Sequence, residues 1–210
     1  VDVLIENPPT FAGLPGISTV FAYLQLGPEG AIFLGQSTTT DAETARIDKL
    51  PPLSGDSFMF QVWGQNPLVP NSITAIFRRQ PGDLSQGLHI GPLMGLTQLT
   101  EPLGTFGGVI EWASESGPAP DLIEVRIDEV TPFGDLILQW QMIVPGTENR
   151  VTVPPQVVEK LRQKYGPGFP LLVTILRGRE PRFNYDQWSY SDFDLWRFTS
   201  YTMERQFIML

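Results

Sequence analysis

The sequence contains no cysteine and a single histidine, His89. Without cysteine the chain has no disulfide, no thiol nucleophile and no cysteine ligand for a metal. One histidine is too few for a structural zinc site, which holds its ion with four Cys or His side chains. A serine triad would have to use His89, and the Gly-x-Ser-x-Gly motif of many such hydrolases is missing. We therefore predict that the chain is not an enzyme and binds no cofactor.

Charged residues make up only 18% of the chain, and 23 acidic residues outnumber 14 basic ones. The resulting net charge of −9 repels nucleic-acid backbones and anionic membrane surfaces. The longest apolar run, near Leu171–Leu176, is far shorter than the roughly 20 residues that span a bilayer. We predict that the chain binds no nucleic acid and does not itself span a membrane.

The first residue is Val1 rather than methionine. Removal of a signal peptide produces such a start, and so does trimming of a longer chain. We expect the first of these origins. It places the protein outside the cytoplasm, in the periplasm or at the cell surface.

The 20 glycines and 20 prolines are spread evenly along the chain. Evenly spaced turn residues are typical of many short strands joined by tight turns. Phe58, Phe60 and Val62 alternate at the period of two that a strand requires, and Leu122–Val130 alternates in the same way. Only the segment Pro154–Arg162 has the signals of a helix. The pattern predicts an all-β chain with one short helix.

We predict two tandem β-sandwich domains, at residues 1–80 and 105–210. The residues between them, 81–104, are rich in glycine, proline and leucine. A flexible linker would contain fewer large apolar residues, so we expect an ordered connector. Its Leu93, Met94 and Leu96 either form an exposed contact surface for a partner or pack between the two domains, and the sequence leaves both interpretations open.

The segment Ala45–Trp63 contains a strand, a Leu-Pro-Pro-Leu turn and a second strand. It resembles the core of the extracytoplasmic C-terminal domain of anti-sigma-K factors, with Phe60 in place of the usual tyrosine. The strand Gly108–Trp112, with Leu171–Leu176 as a late core strand, resembles a fibronectin type III domain. These resemblances imply immunoglobulin-like and fibronectin-like sandwiches and say little about function.

Aromatic residues are concentrated between Phe183 and Tyr201, where 8 of 19 residues are aromatic. Tyrosine and tryptophan combine an apolar face with a polar group, which suits a protein interface and also suits stacking on sugar rings. Packing at the end of a core is the third interpretation. The residues predicted to bind a partner here are Tyr185, Trp188, Tyr190, Phe193 and Trp196.

The same segment holds four side chains with oxygen donors, Asn184, Asp186, Asp192 and Asp194. They are candidate calcium ligands, although calcium takes six to eight oxygens and the spacing is not that of an EF-hand. Acids of the second domain, among them Glu111, Glu124 and Asp128, are the residues that a glycoside hydrolase would use. In an acidic chain, carboxylates also come together by chance.

The sequence thus predicts a non-enzymatic structural or accessory subunit that binds other proteins in an extracytoplasmic, membrane-associated assembly. Secretory, adhesive, respiratory and photosynthetic assemblies fit this prediction equally well. The first alternative is a carbohydrate-binding module that uses the aromatic segment 183–196, and the second is a glycoside hydrolase.

Overall fold

The structure of the protein is a computed structural model that describes residues 1–40, 44–48, 50–100, 106–181, 183–184, 187 and 198–210. The strands up to residue 90 are β1 (Asp2–Ile5), β2 (Thr10–Phe11), β3 (Leu14–Pro15), β4 (Ile17–Gln25), β5 (Ala31–Thr40), β6 (Thr44–Arg46), β7 (Phe58–Gln65), β8 (Ser72–Arg79) and β9 (Leu88–Ile90). The later elements are β10 (Thr97–Leu99), β11 (Val109–Ser114), β12 (Leu122–Val130), β13 (Leu136–Pro145), β14 (Arg150–Thr152), α1 (Pro155–Tyr165), β15 (Pro170–Arg179) and β16 (Ser200–Met209). The prediction of an all-β chain with one short helix is confirmed.

The helix α1 forms where proline and glycine set its two ends. Pro154 and Pro155 lie at its start, where a missing N–H costs nothing. Val158 and Leu161 are buried and attach the helix to the core. Gly166 follows with a φ of 81°, a left-handed conformation that glycine adopts freely, so the helix ends there.

One antiparallel sheet of eight strands contains elements from both predicted domains. Its order is β13-β12-β15-β16-β8-β7-β4-β5. The first four of these strands come from residues 105–210 and the last four from residues 1–80. The two halves meet where β8 pairs with β16, with Thr74 opposite Thr202. The two halves therefore share one large sheet, which continues across the pairing of β8 with β16.

Two smaller sheets cover one face of the large sheet, which we call the inner face. The first, in the order β6-β1-β9, contributes Val3 and Ile90 to a core with Phe60 of β7. The second, in the order β10-β11-β14, contributes Trp112 to a core with Ile127 of β12, and helix α1 closes that core. Each half thus has a two-layer core of its own, as in a β-sandwich.

The described part of the predicted connector, residues 81–100, supplies a strand to each of the smaller sheets. β9 pairs in parallel with β1, and β10 pairs antiparallel with β11. Sequence reasoning placed no strand in this segment, because each strand is only three residues long. β9 and β10 are strands only because each pairs with a strand that is distant in the sequence, and such pairing leaves no pattern in the local sequence.

The two halves repeat one strand arrangement. In each half a nine-residue strand and a ten-residue strand form a hairpin, β4 with β5 and β12 with β13. Each hairpin has a register shift after the sixth residue of its first strand, after Ala22 and after Ile127. In each half a three-residue strand follows and joins a smaller sheet, and then two strands continue the large sheet.

Strand register assigns equivalent residues in the two halves. In the first half, Val20, Val62 and Ile76 lie opposite one another on the neighbouring strands β4, β7 and β8. In the second half, Val125, Ile175 and Glu204 lie opposite one another on the corresponding strands β12, β15 and β16. Ile76 and Glu204 therefore occupy equivalent positions. The same correspondence maps the Thr74–Thr202 pair onto itself, so an approximate twofold axis passes through that pair.

Candidate functional site

The two outermost strands of the large sheet, β5 and β13, form the candidate functional site. Each is ten residues long, and neither contains an Asp, Glu, Lys or Arg. Each pairs with one neighbour only among the described residues, β4 and β12 respectively, so one row of its backbone N–H and C=O groups has no strand partner there. Natural edge strands are normally shortened, charged or covered, because an open edge pairs readily with another chain.

The β13 edge exposes large apolar side chains. Leu136, Ile137, Leu138 and Met142 are between 39% and 48% exposed. Phe133, in the turn that precedes the strand, is 92% exposed. This concentration of exposed apolar side chains on one edge is typical of a surface that another protein covers.

The β5 edge is apolar at one end and polar at the other. Ile32 and Phe33 are about half exposed, and the Phe33 ring packs edge-on against Tyr23 with 5.8 Å between ring centres. Towards the other end, the hydroxyl groups of Thr38 and Thr19 lie 3.1 Å apart across the hairpin. The two edges are equivalent in the repeat, but β13 is the more apolar of the two.

A β-bulge divides each edge. Leu34 in β5 and Gln139 in β13 have no opposite residue on the neighbouring strand. A bulge bends the strand and interrupts regular pairing. Beyond the bulge, Gly35–Thr40 and Trp140–Pro145 each keep six consecutive residues in regular register with their neighbours. A segment that adds to either edge would therefore pair over about six residues, the usual length of a strand.

Most of the aromatic segment that the sequence singled out lies outside the described residues. This applies to Tyr185, Trp188, Tyr190, Phe193 and Trp196 and to the calcium candidates Asp186, Asp192 and Asp194. Of the calcium candidates only Asn184 is described, and its carbonyl oxygen accepts a hydrogen bond from the Gln187 N–H. Next to the segment, Phe198 is buried with Leu122 and Leu176 on the outer face of the large sheet. The partner, carbohydrate and calcium predictions for this segment stay predictions.

The leucine-rich residues of the connector lie in the interior. Leu93, Met94 and Leu96 are 0%, 1% and 2% exposed. The Leu93 N–H donates to the carbonyl oxygen of Glu6, and the Asn7 side chain donates to the carbonyl oxygen of Leu93. The prediction that these residues bind a partner needed an exposed patch. The structure buries them instead, because the connector packs against both halves.

Two acids that the sequence placed on a polar strand face are buried. Glu124 and Asp128 are 2% and 0% exposed on the outer face of β12. Arg126 lies between them, and its guanidinium is 2.8 Å from Asp128 and 4.0 Å from Glu124. Burial raises the pKa of Glu124 to about 7, although Arg126 and a hydrogen bond from Gln141 act in the opposite direction. Glu124, Arg126 and Asp128 thus form a row of acidic, basic and acidic side chains along the outer face of β12.

The third acid named for glycoside hydrolysis, Glu111, lies elsewhere. Glu111 is on β11, in a smaller sheet, and its carboxylate is 3.9 Å from Arg150. Among the residues that the structure describes, no three His, Cys, Asp or Glu side chains are grouped as metal ligands would be. The helix of the described chain is too short and too polar to cross a membrane.

Sequence reasoning missed the two edges, although a signal was present. The ten-residue stretches Ala31–Thr40 and Leu136–Pro145 are both free of charge in an acidic chain. What the sequence does not reveal is that both strands lie at the ends of one sheet. In comparisons with known proteins, no family model, curated protein or solved structure matches this chain.

Proposed function

We propose that this protein is a non-enzymatic structural or accessory subunit that binds other proteins by adding their extended segments to the outer edges of its large sheet. The observation that carries this proposal is the pair of long, uncharged edge strands, β5 and β13. Strand addition uses the main-chain groups of the edge for affinity and the exposed side chains for specificity.

The energetics support association at these edges. A six-residue segment would form about six backbone hydrogen bonds, each contributing roughly 1 kcal/mol net. Covering the exposed side chain of Met142, which lies in the six-residue segment of β13, adds about 25 cal/mol for each Å² of apolar surface buried. The chain already uses the same mode internally, because its two halves associate through the antiparallel pairing of β8 and β16.

Site-specific photo-crosslinking in the cells that produce the protein tests the proposal. A photoreactive phenylalanine analogue replaces Met142 on β13 or Gln36 on β5, and a third variant carries it at Trp63. Trp63 is a matched control, because it is 41% exposed against 39% for Met142 but lies on β7, which is paired on both sides.

We expect discrete protein adducts at Met142, at Gln36 or at both, and none at Trp63. Adducts at Trp63 alone, or none at either edge while the protein purifies as a solitary monomer, would remove the proposal. Self-association of the purified chain through the same positions would identify the partner segment as that of a second copy.

We also propose that the assembly lies outside the cytoplasm and is associated with a membrane. This part rests on the sequence alone. Fractionation of cells that express the tagged chain tests it, since the proposal requires the protein in the envelope fraction. Recovery with cytoplasmic markers would refute the location without affecting the edge-binding proposal.

A further inference from the structure

A cavity on the inner face of the large sheet lies beside the junction of the two halves. Its volume is about 270 Å³. The described residues that contribute polar groups to its lining are Asn71, Gln98, Thr100, Glu204 and Gln206, and Leu99 adds an apolar wall. Glu204 is the only charged residue among the described residues of the lining. The cavity is remote from the uncharged edges, which lie at the two ends of the sheet.

Glu204 is buried at this cavity and forms no ion pair with any residue that the structure describes. The residue is 4% exposed, and its Oε2 atom accepts no hydrogen bond from the described part of the chain. Arg177 lies on the neighbouring strand, opposite Thr202 and on the same face of the sheet as Glu204. Its guanidinium donates to the Thr97 hydroxyl at 3.3 Å rather than to Glu204. Burying an unpaired carboxylate is unfavourable, and proteins normally avoid it.

The repeat shows that the fold does not require an acid at this position. The equivalent residue in the first half is Ile76, which packs against the first core. Ile76 also lines an equivalent cleft of about 220 Å³, together with Arg78, His89 and Arg179. Equivalent backbone positions therefore line an acidic cleft in the second half and a basic cleft in the first half.

From this geometry we propose that the Glu204 cavity binds a small primary amine that also carries a hydroxyl or amide group. The ammonium supplies the positive charge and the N–H donor that the Oε2 atom of Glu204 lacks within the described part of the chain. The amide and hydroxyl groups of Gln98, Gln206, Asn71 and Thr100 bind the polar remainder of the ligand. A water molecule takes up about 30 Å³, so the cavity holds roughly nine non-hydrogen atoms.

Ethanolamine and ethylene glycol form a matched pair of ligands for the test, because they differ only in that an ammonium replaces a hydroxyl. Each is titrated into the isotope-labelled full chain at pH 8, and backbone amide resonances are followed by NMR. Burial raises the pKa of Glu204 to about 7, so the carboxyl is ionised at this pH. Amides of Gln98, Asn71 and Gln206 report on the cavity, and those of Arg78 and His89 report on the equivalent basic cleft.

We expect ethanolamine to shift the cavity amides and leave those of the basic cleft unchanged. Loss of one charge-assisted hydrogen bond corresponds to about tenfold to hundredfold in affinity, so ethylene glycol and the variant Glu204→Gln should bind more weakly by that factor. The control Glu111→Gln removes a partly exposed acid from β11, in a smaller sheet, and should bind ethanolamine like the unmodified chain.

Three results would overturn the proposal. They are equal affinity for the two ligands, ethanolamine binding that survives Glu204→Gln, and an absence of shifts at the cavity amides. The comparison of the two ligands uses the unmodified chain, so the test does not depend on how well a variant folds. Its outcome is also independent of crosslinking at the sheet edges.

Discussion

Replacing Glu204 by glutamine should stabilise the protein at alkaline pH and change how its stability depends on pH. Burial raises the pKa of the folded-state carboxyl from 4.5 to about 7. The folded protein therefore holds this proton more tightly than the unfolded chain does. As the pH rises from below 4.5 to above 7, the wild-type protein loses stability, and the loss is complete above the folded-state pKa.

The magnitude follows from the two pKa values. At about 1.36 kcal/mol for each pH unit, the difference between 4.5 and about 7 corresponds to roughly 3 kcal/mol. Most of this loss, about 2 to 3 kcal/mol, falls between pH 5 and pH 8. Glutamine does not ionise, so the advantage of Glu204→Gln over the wild type should grow by that amount across this interval.

Urea denaturation followed by tryptophan fluorescence at pH 5, 6, 7 and 8 measures this advantage. Glu124, whose pKa burial also raises to about 7, titrates in both proteins and cancels in the comparison. Glu111→Gln is the control, because it makes the same chemical change on β11, in a smaller sheet, and leaves the Glu204 carboxyl in place. The difference in unfolding free energy between Glu204→Gln and wild type should grow with pH. If it stays constant or shrinks as the pH rises, burial does not raise the pKa of Glu204.

Three further predictions concern the core, a close backbone approach and an edge. Trp112→Ala removes a side chain that is 4% exposed in the second core and should cost about 3–5 kcal/mol in urea denaturation. Gly95→Ala places a methyl group against the carbonyl oxygen of Glu115 and should lower the unfolding free energy by at least about 2 kcal/mol, whereas no loss would show that the loop adapts. Met142→Lys adds a charge to the exposed edge β13 and should leave the stability of the isolated chain within about 0.5 kcal/mol, while it abolishes co-purification of any partner that crosslinks at position 142.

The elements that the sequence predicted well are those defined by local pattern. Phe58, Phe60 and Val62 alternate along the strand and are all buried in the first core. Leu122–Val130 forms β12 with the predicted bounds, and proline and glycine mark the ends of the helix. In these segments the periodicity and the turn residues carry the information, and both are visible without tertiary structure.

The features that sequence reasoning missed depend on contacts between distant residues. The pairing of β8 with β16 joins residues more than 120 positions apart and merges the two halves into one sheet. Contacts with residues far away in the sequence also bury Leu93 and Met94. The sequence alone allowed these residues to be either exposed or buried. Glu204 looks like an ordinary polar residue of a strand, and only the register against Ile175 places it on the inner face. The structural repeat cannot be recognised from the sequence, because equivalent positions hold residues as different as Ile76 and Glu204.

Whether partners add a strand to β5 or β13 can be measured by hydrogen exchange of these two strands in the free and the assembled protein. In the isolated chain, the outward N–H groups of β5 and β13 have no strand partner among the described residues and should exchange rapidly. If a partner adds a strand, peptides that cover Ala31–Thr40 or Leu136–Pro145 become protected in the assembly, while a peptide that covers α1 does not change. An assembly that forms with neither edge protected would contradict the account.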